Sequence, residues 1–208
     1  VIVDRVLEGV EADLVRIDHE QGAYLATRHL LDLGHVDIAC INGPEDTSVA
    51  KMRLAGFRRA LTEAGVGLSE GRVVHSDFTS LGGYGAAALL LNRDRPTAIF
   101  AANDMIGMGV LRAAAERNIT VPGALSVIGF DDIQMCQYVY PALTTVGQSI
   151  RDLGETATSL LLRRIAGSET APVEQRIVAP KIVLRESTGP SPDPVSYTHL
   201  TLPTKRIV

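Results

Sequence analysis

Polar side chains follow three apolar, β-rich runs of this sequence at the point where each run ends. Asn103 follows a run at 98–102, Asp131 follows one at 126–130, and Gln148 comes soon after a third. Ligands of open α/β sheets bind in the crevice at the carboxyl ends of the strands. Amide and carboxylate groups held there can donate and accept hydrogen bonds in pairs, which suits the neighbouring hydroxyl groups of a sugar ring. The pattern predicts that the protein binds a small polar molecule rather than converting one.

Three more residues are candidates for the same ligand site. Asp4 follows an apolar run, Phe78 follows a predicted strand, and Lys51 lies near the start of a predicted helix. A phenyl ring can cover the apolar face of a sugar, and an ammonium group can donate to a ligand oxygen. Each candidate also has an ordinary structural explanation, since Asn103 can cap a helix, Phe78 can pack in the core and Lys51 can be solvated. Their joint placement near strand ends favours binding.

Catalysis has no comparable support in the sequence. The five histidines are scattered, and no pair of them has the spacing of a metal site. The stretch Gly82-Gly83-Tyr84-Gly85 lacks the Lys-Ser/Thr pair of a phosphate-binding loop and does not fit the dinucleotide fingerprint. No serine lies in a nucleophile elbow. We therefore expect no catalytic residue, no metal and no cofactor.

Composition narrows the possible classes further. A net charge of −4 and a pI near 5.7 argue against a basic nucleic-acid-binding face within these residues. No apolar run reaches the ~20 residues that a membrane-spanning helix needs. Cys40 and Cys136 lie far apart without metal spacing, which predicts buried free thiols in a reducing compartment. The sequence opens on Val1 in a strand-like run without a signal peptide or initiator methionine, and we expect it to be a fragment.

The β-rich runs alternate with helical stretches along most of the chain. Asp18 is predicted to cap a long helix that ends at Gly34, and Asp104 to cap a helix at 105–117. An amphipathic helix is predicted at 150–166 and a last strand at 178–184. This repeated order implies an α/β fold in which helices cover both faces of a parallel sheet.

Several motifs together resemble the LacI/GalR family of bacterial transcription regulators, most of all its ribose and purine repressors. They occur in order over nearly all of residues 1–188. The motifs are His29-Leu30-Leu31-Asp32-Leu33-Gly34-His35, Arg53-Leu54-Ala55-Gly56-Phe57, Asn103-Asp104, Val121-Pro122, Ser126-Val127-Ile128-Gly129-Phe130-Asp131-Asp132, Pro141-Ala142-Leu143-Thr144-Thr145-Val146 and Leu184-Arg185-Glu186-Ser187-Thr188.

The resemblance implies a type I periplasmic-binding-protein-like fold, in which two Rossmann-like subdomains enclose a ligand cleft. Residues 1–17 would then hold the last strand of a mostly missing first subdomain and a crossover. Residues 18–148 would form the complete second subdomain, and 149–188 a helix returning to the first subdomain with a final strand. Residues 189–208 would be a linker and a non-native tail, since the end of the sequence has no periodicity that fits the fold.

The resemblance also implies roles for individual residues. The family's effector contacts would fall on positions that the strand ends also select, namely Asp4, Phe78, Asn103, Asp131 and Gln148. Lys51 falls where many sugar-responsive members carry arginine. Lysine lacks the planar bidentate geometry of arginine, which argues against a ribose-like effector. Arg53 falls in a helix-packing motif and is expected to be mainly structural.

The family mechanism implies a cytoplasmic, homodimeric repressor whose sugar or purine/nucleoside effector closes the cleft and alters operator binding. Operator DNA would be bound by an N-terminal helix-turn-helix that is absent from this sequence. A periplasmic sugar-binding protein of a transporter would share the cleft and is the alternative. The Leu-Gly-His stretch and the motif at 184–188 favour the regulator. An enzyme on the same fold rests on fold analogy alone.

Overall fold

The computed structural model describes residues 1–4, 9–69, 71–92, 94–167 and 172–192 of the 208-residue chain, and the predicted tail at 195–208 lies outside them. The strands are β1 (Ile2–Val3), β2 (Leu14–Ile17), β3 (Ile38–Asn42), β4 (Val73–His75), β5 (Ala98–Ala101), β6 (Ser126–Asp131), β7 (Thr144–Gly147), β8 (Gln175–Val178) and β9 (Lys181–Val183). The helices are α1 (His19–Asp32), α2 (Ser48–Glu63), α3 (Ser80–Leu91), α4 (Asp104–Glu116) and α5 (Ile150–Ile165).

A six-stranded sheet in the order β4-β3-β5-β6-β7-β9 forms the centre of the molecule. Its strands are parallel except for β9, which pairs antiparallel with β7. Successive residues of β3 enter different core clusters, with Ile38 and Cys40 packed against α1 and α2, and Ala39 and Ile41 packed against α3 and α4. Because side chains alternate across a strand, each face of the sheet therefore carries its own pair of helices. The predicted α/β fold is confirmed.

A second, three-stranded sheet has the order β1-β2-β8, and its strands are all parallel. The single strand predicted at 178–184 is wrong, because this segment divides between the two sheets. β8 ends at Val178 beside β2, whereas β9 begins at Lys181 beside β7. Pro180 lies between them, and proline cannot donate a ladder hydrogen bond, so it separates the two strands.

Most of the predicted helix boundaries agree with the structure. Asp18 Oδ1 accepts a hydrogen bond from the Gln21 amide at 3.0 Å, and Gly34 ends the α1 region with φ of 88°. The cap predicted for α4 is wrong by one residue. Asn103 Oδ1 accepts from the Ile106 amide at 2.8 Å, whereas Asp104 lies inside the first turn. Cys40 and Cys136 are free and buried, as predicted.

Candidate functional site

Three predicted ligand residues lie at the carboxyl edge of the six-stranded sheet. Asn103 follows β5, Asp131 is the last residue of β6, and Gln148 follows β7. These strands are adjacent and parallel, so their carboxyl ends lie at the same edge. The expected convergence therefore occurs, although it does not bring all three side chains into mutual contact.

Asp131 is the centre of a hydrogen-bonded polar cluster at this edge. Its Oδ1 accepts hydrogen bonds from Arg53 Nη2 at 2.9 Å and from Gln148 Nε2 at 2.8 Å. Its backbone has φ of 117°, a value that residues other than glycine rarely adopt, so the strand end is held in an unusual conformation. Within the described residues, Asp131 Oδ2 makes no hydrogen bond. One carboxylate oxygen is thus fixed by the protein and the other is available.

Arg53 extends this cluster into the interior. Its side chain is 4% exposed, its Nη1 donates to the carbonyl oxygen of Ala102, and its guanidinium lies 3.7 Å from the centroid of the Phe130 ring. Its Nε is buried and has no hydrogen-bond partner among the described residues. Arg53 was predicted to be mainly structural, and it is buried, but it also holds Asp131.

The cluster continues through His19 to the second sheet. Arg53 Nη2 donates to His19 Nδ1 at 3.3 Å, and His19 Nε2 lies 3.1 Å from Asp4 Oδ1. An arginine can only donate, so Nδ1 accepts and the ring proton lies on Nε2, from which it is donated to Asp4. Asp4 Oδ1 also accepts from the Ile17 amide at 3.3 Å. A continuous hydrogen-bonded chain, Asp4–His19–Arg53–Asp131, therefore joins β1 of one sheet to β6 of the other.

The carboxyl groups of this chain have perturbed pKa values. Burial raises the pKa of Asp131 above its usual value, although the Arg53 guanidinium opposes the shift. Burial also acts to raise the pKa of Asp4, but the hydrogen bonds from His19 and from the Ile17 amide, with the nearby charge of Arg53, outweigh it and hold that pKa below its usual value. Burial also lowers the pKa of Arg53 while the facing carboxylates oppose it. Asp131 is consequently the carboxyl group of the cluster that is more easily protonated.

Asn103 and Phe78 form a neighbouring pair. Asn103 Nδ2 donates to the carbonyl oxygen of Phe78 at 3.0 Å, while its Oδ1 caps α4. Phe78 has φ of 65°, and its half-buried ring lies so close to Gly43 that a methyl group there would come within 2.5 Å of three ring carbons. Asn103 therefore acts as a helix cap and fixes the position of Phe78.

Asp104 is a buried acid that the sequence did not single out as more than a cap. Its carboxylate accepts from Thr145 Oγ1 and from the Ile133 amide. Burial raises its pKa to about 6, and these hydrogen bonds moderate the shift. Asp104 is fully buried, and its hydrogen bonds connect α4 to β7 and to the loop after β6.

Lys51 is not part of the Asp131 cluster. It lines a separate cavity of about 270 Å³, together with residues of β3, β4, α2 and the loop between β3 and α2, namely Asn42, Glu45, Leu54, Arg58 and His75. The structure thus joins Asp4, Asp131 and Gln148 through His19 and Arg53, places Asn103 and Phe78 beside each other, and leaves Lys51 elsewhere.

Among the residues that the structure describes, no three His, Cys, Asp or Glu side chains are grouped in a way that could hold a metal ion. In the same part of the chain, no helix is both long and apolar enough to cross a bilayer.

The sequence and fold match proteins of known type. Residues 27–188 match the model of the periplasmic binding protein-like domain. A LacI family transcriptional regulator from Enterococcus faecium, solved with bound ribose, superposes with a TM-score of 0.80 at 36% identity, over 90% of this chain and 69% of that one. The chain belongs to the LacI family.

Two curated relatives of this LacI-family chain are regulators by name. The HTH-type transcriptional regulator DegA of Bacillus subtilis is 42% identical over 179 residues, which are 86% of this chain and 52% of DegA. The HTH-type transcriptional repressor PurR of Erwinia tasmaniensis is 42% identical over 175 residues, which are 83% of this chain and 50% of PurR. The LacI-family chain therefore spans about half the length of these relatives. Their names favour the regulator over the transporter component.

His19 and Arg53 are the site residues that sequence reasoning missed in this LacI-family chain. A signal for Arg53 was present, because it lies four residues before Phe57 and seven before Ala60, on the buried face of α2. A buried arginine requires partners, and a carboxylate at a strand end is a suitable one. No comparable pattern marks His19.

Proposed function

We propose that this chain is the effector-sensing part of a cytoplasmic LacI-type repressor that binds a small sugar-like or nucleoside-like molecule. Effector binding would change the affinity for operator DNA, which a helix-turn-helix outside this sequence would contact. The observation that carries the proposal is the hydrogen-bonded chain from Asp4 to Asp131, because it connects the two sheets at the edge where ligands bind.

The free polar atoms of this cluster define the chemistry of the ligand. Oδ2 of Asp131, Oδ2 of Asp4 and Oε1 of Gln148 make no hydrogen bond within the described residues, and Arg53 Nε is a buried donor without a partner. Two carboxylate oxygens on different sheets can each accept from a hydroxyl group, and the amide oxygen can accept a third. A compact ligand with several hydroxyl groups satisfies this arrangement, and the ribose moiety of a nucleoside does so equally well.

The same geometry can couple ligand binding to the relative placement of the two sheets. A ligand held by Asp4 and Asp131 contacts both sheets, so its affinity depends on how the sheets are placed relative to each other. A ligand shifts a conformational equilibrium only through different affinities for the two states. Ribose bound to the regulator from Enterococcus faecium supports the sugar class, and the resemblance of the sequence motifs to the purine repressors supports the nucleoside class.

Asp131→Asn should weaken effector binding by about 10- to 100-fold, because a hydrogen bond to a charged group contributes roughly 1.5–3 kcal/mol. Asparagine keeps the size of the side chain and tolerates positive φ, but it presents an amide N–H in place of one carboxylate oxygen. The effector is first identified by a thermal-shift screen of the full-length protein with pentoses, hexoses, nucleosides and purines. Its affinity is then measured by calorimetry, and operator binding by fluorescence anisotropy.

Operator binding without effector should be unchanged in this variant, since the proposal places Asp131 at the ligand and not at DNA. Asp32→Ala is the control, because Asp32 lies at the exposed end of α1, where it forms an exposed ion pair with Arg28, away from the Asp131 cluster. Effector-dependent release from operator that is the same in Asp131→Asn as in the wild type would disprove the assignment.

We also propose that the protein is a homodimer that associates through the side of α3, α4 and the loop after β6. Large apolar side chains on these elements are exposed, with Tyr140 at 94% and Leu81 at 78%, and Met105, Met135 and Tyr138 lie on the same elements. These elements share one core cluster, so their outer surfaces belong to one side of the molecule. Several exposed large apolar side chains on one side of a molecule are typical of a protein interface.

Tyr138→Glu should shift the full-length protein from dimer to monomer in light scattering, because a carboxylate would have to be desolvated at the interface. Leu68→Glu is the control, since Leu68 is an exposed leucine in the loop between α2 and β4, away from this side. A Tyr138→Glu protein that is as dimeric as the wild type at the same concentration would exclude this surface.

A further inference from the structure

The cavity that contains Lys51 is distinct from the Asp131 cluster. It has a volume of about 270 Å³ and shares no lining residue with the cluster. Asn42 ends β3 and His75 ends β4, while Lys51, Leu54 and Arg58 lie three to four residues apart along α2. This spacing places the three on one face of the helix, above the edge of the sheet. The cavity is therefore lined by three secondary-structure elements.

Asn42 provides the first indication of a ligand. Its side chain is 1% exposed, and its Nδ2 donates to the carbonyl oxygen of Ala50 at 3.0 Å. This hydrogen bond fixes the orientation of the amide, because only the nitrogen can donate. Its Oδ1 is buried and has no hydrogen-bond partner in the described part of the chain, and Asn42 is one of the residues that line the cavity. Burying an acceptor without a hydrogen-bond partner costs free energy, so an O–H or N–H donor from a ligand would be stabilising at this atom.

The charges around the cavity provide the second indication. Lys51 and Arg58 are exposed, and neither makes an ion pair with another described residue. Among the described residues of the lining, Glu45 is the only acidic one, and its Oε1 lies 3.3 Å from His75 Nε2. His75 Nδ1 is 2.9 Å from the carbonyl oxygen of Gly43, to which it donates. Two cations without partners thus face a cavity with a single carboxylate among its described lining residues.

We propose that this cavity is a second ligand site, which binds a small hydroxylated anion. The anionic group would lie between Lys51 and Arg58, and a hydroxyl group would donate to Asn42 Oδ1. Arginine and lysine together suit a phosphate or a carboxylate, and the volume accommodates a molecule of sugar size. The site is independent of the effector assignment, because none of its residues contacts Asp131 or Arg53 through the hydrogen bonds described above.

Calorimetry on the full-length protein with ribose 5-phosphate, gluconate, ribose and inorganic phosphate tests this site. We expect ribose 5-phosphate or gluconate to bind in a salt-dependent manner, and Arg58→Gln and Lys51→Gln each to weaken that binding at least tenfold. Arg59→Gln is the matched control, because Arg59 is the next residue of α2 but pairs with Glu20 outside the cavity. The preference between the first two ligands identifies the anionic group.

Asp131→Asn separates this site from the effector cluster. Binding of the hydroxylated anion should be unchanged in that variant, whatever becomes of the sugar response. The proposal is overturned if neither anion binds, or if Arg58→Gln and Arg59→Gln behave alike. It is overturned equally if inorganic phosphate binds as tightly as ribose 5-phosphate, because the hydroxyl contact to Asn42 would then contribute nothing.

Discussion

Replacement of Arg53 by methionine is expected to lower the free energy of unfolding by about 3–5 kcal/mol, the usual cost of removing one partner of a buried ion pair. The guanidinium is almost fully buried, and it donates to Asp131, to Ala102 and to His19. Methionine has a similar length and fills the space above Phe130, but it leaves Asp131 without its cation. Urea denaturation followed by circular dichroism measures the loss.

The loss of stability caused by Arg53→Met should become smaller as the pH falls. Burial already raises the pKa of Asp131, and Arg53 opposes that shift in the wild type. Without Arg53 the carboxyl group takes up a proton more readily, and the neutral acid tolerates burial better than the carboxylate. For a group whose pKa is raised by folding, stability is retained at low pH and lost as the pH rises through the folded-state pKa. The difference between wild type and Arg53→Met should therefore be larger at pH 8 than at pH 5.

Arg59→Gln is the control on the same helix. Arg59 lies 2.5 Å from Glu20 Oε1, but its side chain is 37% exposed, so the pair should contribute at most about 1 kcal/mol. If the two substitutions reduce stability equally, Arg53 does not hold a buried carboxylate in solution. If Arg53→Met is destabilised by the same amount at every pH, the charge of Asp131 is not the cause.

The ends of apolar runs are visible in the sequence, so the placement of Asp131, Gln148 and Asn103 at one edge of the sheet could be predicted. Adjacent parallel strands bring their carboxyl ends to one edge, so a polar residue after each apolar run lies near the others. The residue type at a strand end does not show whether its side chain contacts a ligand or another part of the protein. Asn103 uses its amide to cap α4 and to hold Phe78, and the same residue type at the same kind of position serves both purposes.

Helical periodicity distinguishes the positions of Lys51 and Arg53. They are two residues apart on α2, and at 3.6 residues per turn this separates them by about 200° around the helix axis. Only one of them can therefore face the buried side. The apolar residues Phe57 and Leu61 mark that side, and they share it with Arg53. Helical periodicity thus predicts that Lys51 lies away from the Asp131 cluster.

The role of His19 depended on an arrangement that no local pattern contains. Its contact with Asp4 follows from how the two sheets are placed, and its contact with Arg53 from how α1 packs against α2. The division between β8 and β9 has the same origin, because the segment exchanges one sheet for the other around Pro180. Local patterns predicted the elements, while contacts between distant elements completed the site.

Gly83→Ala is expected to reduce the free energy of unfolding by about 3 kcal/mol, toward the upper end of the usual cost of overpacking. A Cβ atom at this position would lie 2.6 Å from the Cα atom and 2.7 Å from the carbonyl oxygen of Ile106 on α4. Both neighbours are backbone atoms, so relief requires α3 and α4 to move apart. Their separation would open the core cluster that lies beneath the proposed dimer surface.

Gly85→Ala on the same helix should have the opposite effect. A Cβ atom at Gly85 would meet nothing within 4 Å, so alanine adds only its higher helix propensity, worth about 0.5–1 kcal/mol. The two substitutions are chemically identical and two residues apart, and therefore any difference in urea denaturation arises from the contact with α4. Because close packing of α3 on α4 determines the sign, stabilisation of both variants would mean that the two helices are farther apart in solution. Gly83→Ala can also be tested for dimer formation. If it loses both the dimer and stability while Gly85→Ala loses neither, the packing of α3 on α4 is connected to association of the subunits.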